Sequence, residues 1–248
     1  MTDHVAAPMP QAVRASAIRP TSGTRALLAC GIAAGPLFML VAVIQAFTRH
    51  GFDITRHIAS LLSNGGLGWI QITDFVLAGL LSIACAAGMR RVLQAGRGRV
   101  WGPRLVGAYG AGMIAAGAFR ADPANGFPPG TPAGPPAGTS WHGALHLAGA
   151  GVGFLCLIAA CFVIASRTSI LGQRGWAAYS RATGVIFLAG FAGVSSGATT
   201  PVAVLGFWGA VAAGWAWIAL LAARLTPREP DAPVDRRNLG QLTIGEQP

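Results

Sequence analysis

The sequence predicts an all-α membrane protein: a polytopic bundle of six transmembrane helices with both termini in the cytoplasm. Of the 248 residues, 53% are hydrophobic and only 10% are charged, whereas soluble domains carry about 25% charged residues. The apolar residues form six runs of the length that a bilayer requires, which is about 20 residues. No segment alternates between polar and apolar residues as the strands of a membrane barrel do. Helices are therefore expected throughout one domain.

Each predicted span is set by hydropathy and by the residues at its ends. The first is longer than the apolar stretch of about 7–15 residues in a signal peptide, so we expect an uncleaved anchor. The third is short, and Arg104 and Arg120 flank it where their guanidinium groups can reach the two interfaces. The four cysteines lie inside apolar runs and are interpreted as packing residues. The predicted spans are residues 27–47, 69–88, 105–119, 141–165, 182–199 and 202–223.

The basic residues determine the predicted orientation. All 18 are arginine, and all but Arg49, Arg56 and Arg120 flank the same ends of the spans, which the positive-inside rule assigns to the cytoplasm. We expect a multi-pass protein of the bacterial plasma membrane, since a lysine-free composition is typical of GC-rich genomes. The arginines form short clusters, which favours membrane lipids over nucleic acid as partners. The Pro-rich segments 1–25 and 225–248 are predicted to be disordered cytoplasmic ends of a 26–224 transmembrane domain.

Histidines and acids are gathered at the opposite, extracytoplasmic side of the predicted bundle. Four of the five histidines lie there, together with every acid between the terminal segments. One of these acids, Asp74, is expected to pair with Arg56 or Arg120, because a charge inside a bundle needs a partner. The gathered residues are His50, His57, His142, His146, Asp53, Asp74 and Asp122. This segregation predicts a polar site at the outer surface.

The motif W-H-G-A-L-H opens the fourth span and places His142 and His146 on one helix face, one turn apart. Helical HExxH sites hold a metal ion with that spacing, although the glutamate is absent here. With His57 and Asp122 on the same side, three nitrogens and one oxygen would complete a tetrahedral zinc shell. The cofactor stays unknown at this point, with zinc as the metal ion that such a set could hold.

Residues 52–69 are too polar to span a membrane, but their apolar residues have helical spacing, which predicts a short interfacial helix. In it Ser60 lies one turn from His57, in reach of a metal-bound water. Three simpler interpretations stay open. Residues 52–69 could form an ordinary amphipathic loop helix. His142 and His146 could only contact lipid head groups. Asp122 could only pair with Arg120 or cap a turn.

Three motifs together resemble a bacterial multi-pass membrane family known as domain of unknown function 998. They are R-H-I-A-S-L-L-S-N-G-G-L-G-W-I-Q, A-D-P-A-N-G-F-P and S-W-H-G-A-L-H, and the resemblance covers about residues 26–224. The predicted site is also similar in chemistry, though not in descent, to the alkaline ceramidase and adiponectin receptor superfamily. That superfamily holds zinc with an early Ser/His motif, then an Asp, then HxxxH, but in seven spans with the HxxxH in the last. The matching residues here are His57 with Ser60, Asp122, and His142 with His146.

These observations lead to a hypothesis of a metal-dependent hydrolase that cleaves an amide or ester of an amphipathic lipid. A bound metal would lower the pKa of its water to about 7, Asp122 would act as ligand or general base, and Ser60 would orient the water. The alternatives are a structural or partner-binding membrane protein without chemistry, a small-molecule transporter and a haem protein. The protein partner stays unknown.

Overall fold

The computed structural model describes residues 21–136, 138–197 and 200–226. Within them the chain is all-helical, as predicted, with six long helices and one short 3-10 helix at Ala59–Ser63. The long helices are α1 (Ser22–Thr48), α2 (Gly68–Val92), α3 (Trp101–Ala118), α4 (Trp141–Ile170), α5 (Arg174–Ser195) and α6 (Pro201–Leu225). Five of them are long and apolar enough to cross a membrane, and α3 is not among these five.

The helix α3 lies between α2 and α4, and glycines allow it to approach both. A β-carbon added at Gly79 of α2 would lie 2.5 Å from the Gly110 carbonyl oxygen of α3. On the other face, a β-carbon at Gly112 would lie 2.6 Å from the Gly149 carbonyl oxygen of α4. Backbones this close require small residues. The weakly apolar α3 is thus held by its two neighbours on both sides.

The six helices form a closed ring in which each contacts the next along the chain, and α6 returns to α1. Large side chains fill the centre, where Phe38 lies 5.4 Å from the ring of Trp215, and Tyr109 lies 5.3 Å from it. Consecutive neighbours run antiparallel, so the loops fall at two ends. We call the end with loops 49–67 and 119–140 the loop end, and the end with loops 93–100 and 171–173 the arginine end.

Several boundaries differ from the sequence prediction. The fifth helix begins at Arg174 instead of residue 182, and the fourth continues to Ile170. Instead of an amphipathic helix over residues 52–69, residues 52–67 form turns and the 3-10 helix, and α2 begins at Gly68. The predicted disordered ends lie outside the described residues, except for 21–25 and 225–226. Among these described residues, 22–25 form the first turn of α1, which begins at Ser22, and residue 225 is the last residue of α6.

At the loop end, the two long loops pack on each other and on α6. Leu61 and Leu62 of the 3-10 helix, Phe127 of the second loop, and Trp208 of α6 are buried together in a small apolar core. The Arg49 guanidinium donates hydrogen bonds to the carbonyls of residues 62 and 64, at 3.1 and 2.6 Å, and stacks on Phe127 at 5.3 Å. Desolvation by burial lowers the pKa of Arg49 from its ordinary value. This packing gives the loops a defined shape over the helix ends.

Candidate functional site at the loop end

A cavity of about 330 Å³ opens among α4, α5, α6 and the two long loops. We call it the loop-end cavity. Three phenylalanines from the three helices form its floor, since the Phe154 ring lies 5.3 Å from Phe191 and 5.8 Å from Phe207. The loops and the neighbouring helix turns supply its polar lining, which includes Arg56, Ser60, Asp122, Asn125, Thr139 and His146. The cavity is therefore apolar in depth and polar toward the loops.

His146 is buried in the wall of this cavity with a fixed tautomer. Its Nδ1 lies 2.9 Å from the Ala116 carbonyl oxygen and 2.8 Å from that of Phe119. Both are carbonyls at the C-terminal end of α3, where intrahelical donors run out. Carbonyls only accept, so Nδ1 carries the hydrogen, and the Nε2 of a neutral ring has a lone pair. No residue in the described part of the chain donates to that Nε2.

Asp122 lies against the first turn of α4, where it bonds to the capping serine. Its Oδ2 accepts from the Ser140 backbone N–H at 2.9 Å, and its Oδ1 accepts from the Ser140 hydroxyl at 2.5 Å. The same hydroxyl oxygen accepts from the Gly143 N–H and caps the helix. A side chain at position 143 would overlap the Asp122 carboxylate. Gly143 and His146 are three residues apart, so they lie on the same face of α4. Asp122 contacts α4 at Gly143 and is therefore on the same side of the helix as His146.

His142, the other histidine of the motif, does not line the cavity. Its Nδ1 lies 3.2 Å from the Arg120 carbonyl oxygen, 2.9 Å from the Ser140 hydroxyl and 3.8 Å from Asp122 Oδ1. Its side chain is 36% exposed. The structure thus brings His142 close to Asp122 at the surface, while His146 lies one turn deeper.

His57 is buried and also lies outside the cavity lining. The Asp53 N–H donates to its Nδ1 at 2.9 Å, and its Nε2 donates to the Asn125 carbonyl oxygen at 3.0 Å. Its own carbonyl accepts from the Trp208 indole. Since backbone groups occupy both ring nitrogens, His57 connects the two loops and α6. Ser60 does line the cavity.

The donor set predicted for zinc is therefore not assembled around one point. Among the residues that the structure describes, no group of three or more His, Cys, Asp or Glu side chains is arranged to hold a metal ion. Backbone groups bind both nitrogens of His57, and His142 and His146 lie at different depths. These residues therefore do not fit a shared ion.

The ion pair expected for Asp74 is not formed. Asp74 does not pair with Arg56 or Arg120: its Oδ2 accepts from the Gln71 amide at 3.2 Å, and Gln71 in turn accepts from the Gln45 amide at 2.8 Å. All three side chains are buried between α1 and α2. Asp74 Oδ1 and Gln45 Oε1 have no hydrogen-bond partner among the described residues. The sequence analysis missed the two glutamines, although polar side chains in apolar runs are a usable signal.

A family model described as "Protein of unknown function (DUF998)" matches residues 32–224. The chain belongs to this family. The match covers all six long helices but for the first residues of α1 and the last of α6, and it includes both loops of the loop end. It confirms the resemblance seen in the three sequence motifs. No curated protein and no solved structure matches the chain.

Proposed function

We propose that this membrane-type helical protein binds a single-chain amphipathic molecule, such as a fatty acyl compound, in the loop-end cavity. The observation that supports this proposal is the division of the cavity lining, with Phe154, Phe191 and Phe207 in depth and charged or amide groups toward the loops. An acyl chain fits against the phenylalanine floor and a polar head fits between the loops. The volume of about 330 Å³ lies in the range of about 300–1,000 Å³ for small-molecule sites.

Filling the cavity tests the binding proposal. Gly151 lines the cavity, and a β-carbon there would only touch the Phe191 ring at 3.7 Å, so Gly151→Leu extends into the cavity. Gly209 of α6 has open space around it and lies outside the lining, so Gly209→Leu is the matched control. The probe is a fatty acid with a mid-chain diazirine, crosslinked by light to the protein in nanodiscs.

We expect saturable crosslinking to peptides of α4, α5 and α6 in the wild type and in Gly209→Leu. In Gly151→Leu this crosslinking is expected to fall by about tenfold, the change that corresponds to 1.4 kcal/mol of binding free energy. Equal crosslinking in all three proteins would contradict the proposal, because it would indicate labelling from bulk lipid.

A second candidate function is hydrolysis of an ester or amide bond in the bound molecule, with His146 as general base. The observation that favours it is the tautomer of His146, whose Nδ1–H bonds to the end of α3 and whose Nε2 lone pair meets no donor among the described residues. Such a fixed imidazole is suited to accept a proton from water. The water oxygen adds to the carbonyl, and His146 then returns the proton to the departing alcohol or amine. Ser60 orients the water, and Asp122 holds the first turn of α4 in position.

The test of hydrolysis uses an asparagine substitution that keeps the Nδ1-like donor but removes the base. His146→Asn is compared with His142→Asn in a panel of fluorogenic acyl esters and amides. General-base catalysis contributes about 10²–10⁴-fold, so we expect a loss of that size in His146→Asn and none in His142→Asn. Equal rates in the two variants, with acyl crosslinking retained, would refute hydrolysis and leave the binding proposal intact.

A further inference from the structure

A second cavity, of about 460 Å³, lies at the arginine end, far from the loop-end cavity. We call it the arginine cavity. Three arginines from different segments line it: Arg90 near the end of α2, Arg99 in the connecting loop and Arg104 in the first turns of α3. The remaining lining residues, Leu93, Gln94 and Val100, carry no charge. Its chemistry is thus that of a concave, positively charged site.

The loop that carries Arg99 has a defined conformation. Gly96 and Gly98 adopt φ values of +78° and +79°, a conformation that residues with a β-carbon rarely take. Arg167 of α4 donates through Nη1 to the carbonyl oxygens of Ala95 and Arg97, at 2.5 and 3.0 Å. A third element therefore holds the backbone on both sides of Gly96. The loop that carries Gln94 and Arg99 into the wall of the arginine cavity is therefore fixed by contacts with α4.

The positive charge of the arginine cavity is not neutralised within the part of the chain that the structure describes. Among the described residues, the Arg99 guanidinium donates only to the Gln94 carbonyl oxygen, at 2.9 Å, and Arg104 lies over the Trp101 ring at 5.7 Å. No ion pair between an acid and Arg90, Arg99 or Arg104 occurs among these residues. The acids in this part of the chain all belong to the other half of the bundle: Asp53, Asp74 and Asp122.

We propose that the arginine cavity binds a phosphate group, carried either by an anionic phospholipid head group or by a soluble phosphate ester. Guanidinium groups present paired N–H donors that match phosphate oxygens, and three of them surround one concavity. Trp101 beside the cavity is 61% exposed, as is typical of tryptophans at the head-group level of a membrane. Its position favours the phospholipid as the natural source of the phosphate.

The test measures phospholipid binding by native mass spectrometry of the full-length protein released from detergent micelles. Phosphatidylglycerol is the probe, and phosphatidylcholine is the zwitterionic reference. The triple variant Arg90→Gln/Arg99→Gln/Arg104→Gln removes the cavity charge. A control triple variant, Arg174→Gln/Arg181→Gln/Arg224→Gln, changes the net charge by the same amount at the arginine end, outside the cavity.

We expect the cavity variant to lose phosphatidylglycerol affinity by about tenfold or more, since three charge-assisted contacts are removed. The control variant is expected to bind as the wild type does. The Arg90 side chain makes no hydrogen bond to another described residue, so Arg90→Gln alone should fold normally and show a smaller loss. Equal losses in the cavity and control variants, or no loss in either, would overturn the proposal.

Competition identifies the source of the phosphate. Excess glycerol 3-phosphate that displaces phosphatidylglycerol from the wild type supports a site for soluble phosphate esters. Failure of glycerol 3-phosphate to compete, together with loss of lipid binding in the cavity variant, supports a phospholipid head-group site. Binding of phosphatidylcholine as strongly as phosphatidylglycerol by both the wild type and the cavity variant would overturn the phosphate assignment.

Discussion

The contact between Asp122 and the first turn of α4 can be tested with a single methyl group. A β-carbon at Gly143 would overlap the Asp122 carboxylate, so Gly143→Ala forces that carboxylate away from Ser140. The displaced group loses two hydrogen bonds, one from the Ser140 N–H at 2.9 Å and one from the Ser140 hydroxyl at 2.5 Å. We expect the perturbation to reach the cavity wall, because Asp122, Gly143 and His146 all line it.

The expected loss of stability follows from these contacts. Hydrogen bonds to a charged group contribute about 1.5–3 kcal/mol each, and a disturbed serine cap costs about 1 kcal/mol. Alanine is a better helix former than glycine by up to about 1 kcal/mol, which offsets part of the loss. The cap loss and the alanine gain nearly cancel, so Gly143→Ala is expected to lower the free energy of unfolding by about 3–6 kcal/mol, the contribution of the two hydrogen bonds.

The assay is denaturant unfolding in detergent micelles, followed by tryptophan fluorescence, in a double-mutant cycle. In the Asp122→Ala background the overlap is absent, so Gly143→Ala should be neutral or slightly stabilising there. Gly209→Ala, at a helical glycine with open space around it, controls for helix propensity. A destabilisation that persists in the Asp122→Ala background, or that equals the effect of Gly209→Ala, would refute the reasoning.

Two further substitutions test the buried polar groups near the loop end. Asp74→Asn keeps an oxygen that accepts the hydrogen bond from Gln71 and removes a carboxylate charge buried between α1 and α2, so the melting temperature should rise, by the equivalent of about 1–3 kcal/mol. A lower melting temperature would contradict this account. Arg49→Met removes two hydrogen bonds to loop carbonyls and the stacking on Phe127, which should cost about 2–4 kcal/mol in unfolding free energy. Arg120→Met, whose side chain makes no hydrogen bond to another described residue, is the control and should change stability little.

The helices were predictable because hydropathy is a local property. Runs of apolar residues set the six segments that the sequence predicts. The boundaries were less predictable. Residues 174–181 are polar enough to be predicted as a loop, yet they begin α5, where Ser180 accepts a hydrogen bond from Trp217 of α6 and Arg181 donates to Ser169 of α4. Packing against a neighbour outweighed the local polarity.

The sequence predicted which polar residues lie at one end of the bundle, but not which of them meet in one cavity. Ser60, Asp122 and His146 meet in the loop-end cavity, whereas His57 and His142 do not line it. Helical spacing places two histidines on one face, but it does not show that the neighbouring carbonyls already occupy a ring nitrogen. Those carbonyls belong to a different helix or loop, so only the folded chain reveals them.

The amino-acid sequence alone determined that this is an all-helical membrane-type protein of its family, with most of the arginines at one end of the bundle and the histidines and acids between the terminal segments at the other. That information is carried by composition and by the order of residues within single segments. The tertiary structure decided which of those side chains are bonded and which line a cavity, since hydrogen bonds such as that between His146 and the end of α3 join residues about 30 positions apart. Distances of that kind depend on how helices pack, and packing is set by all six helices together.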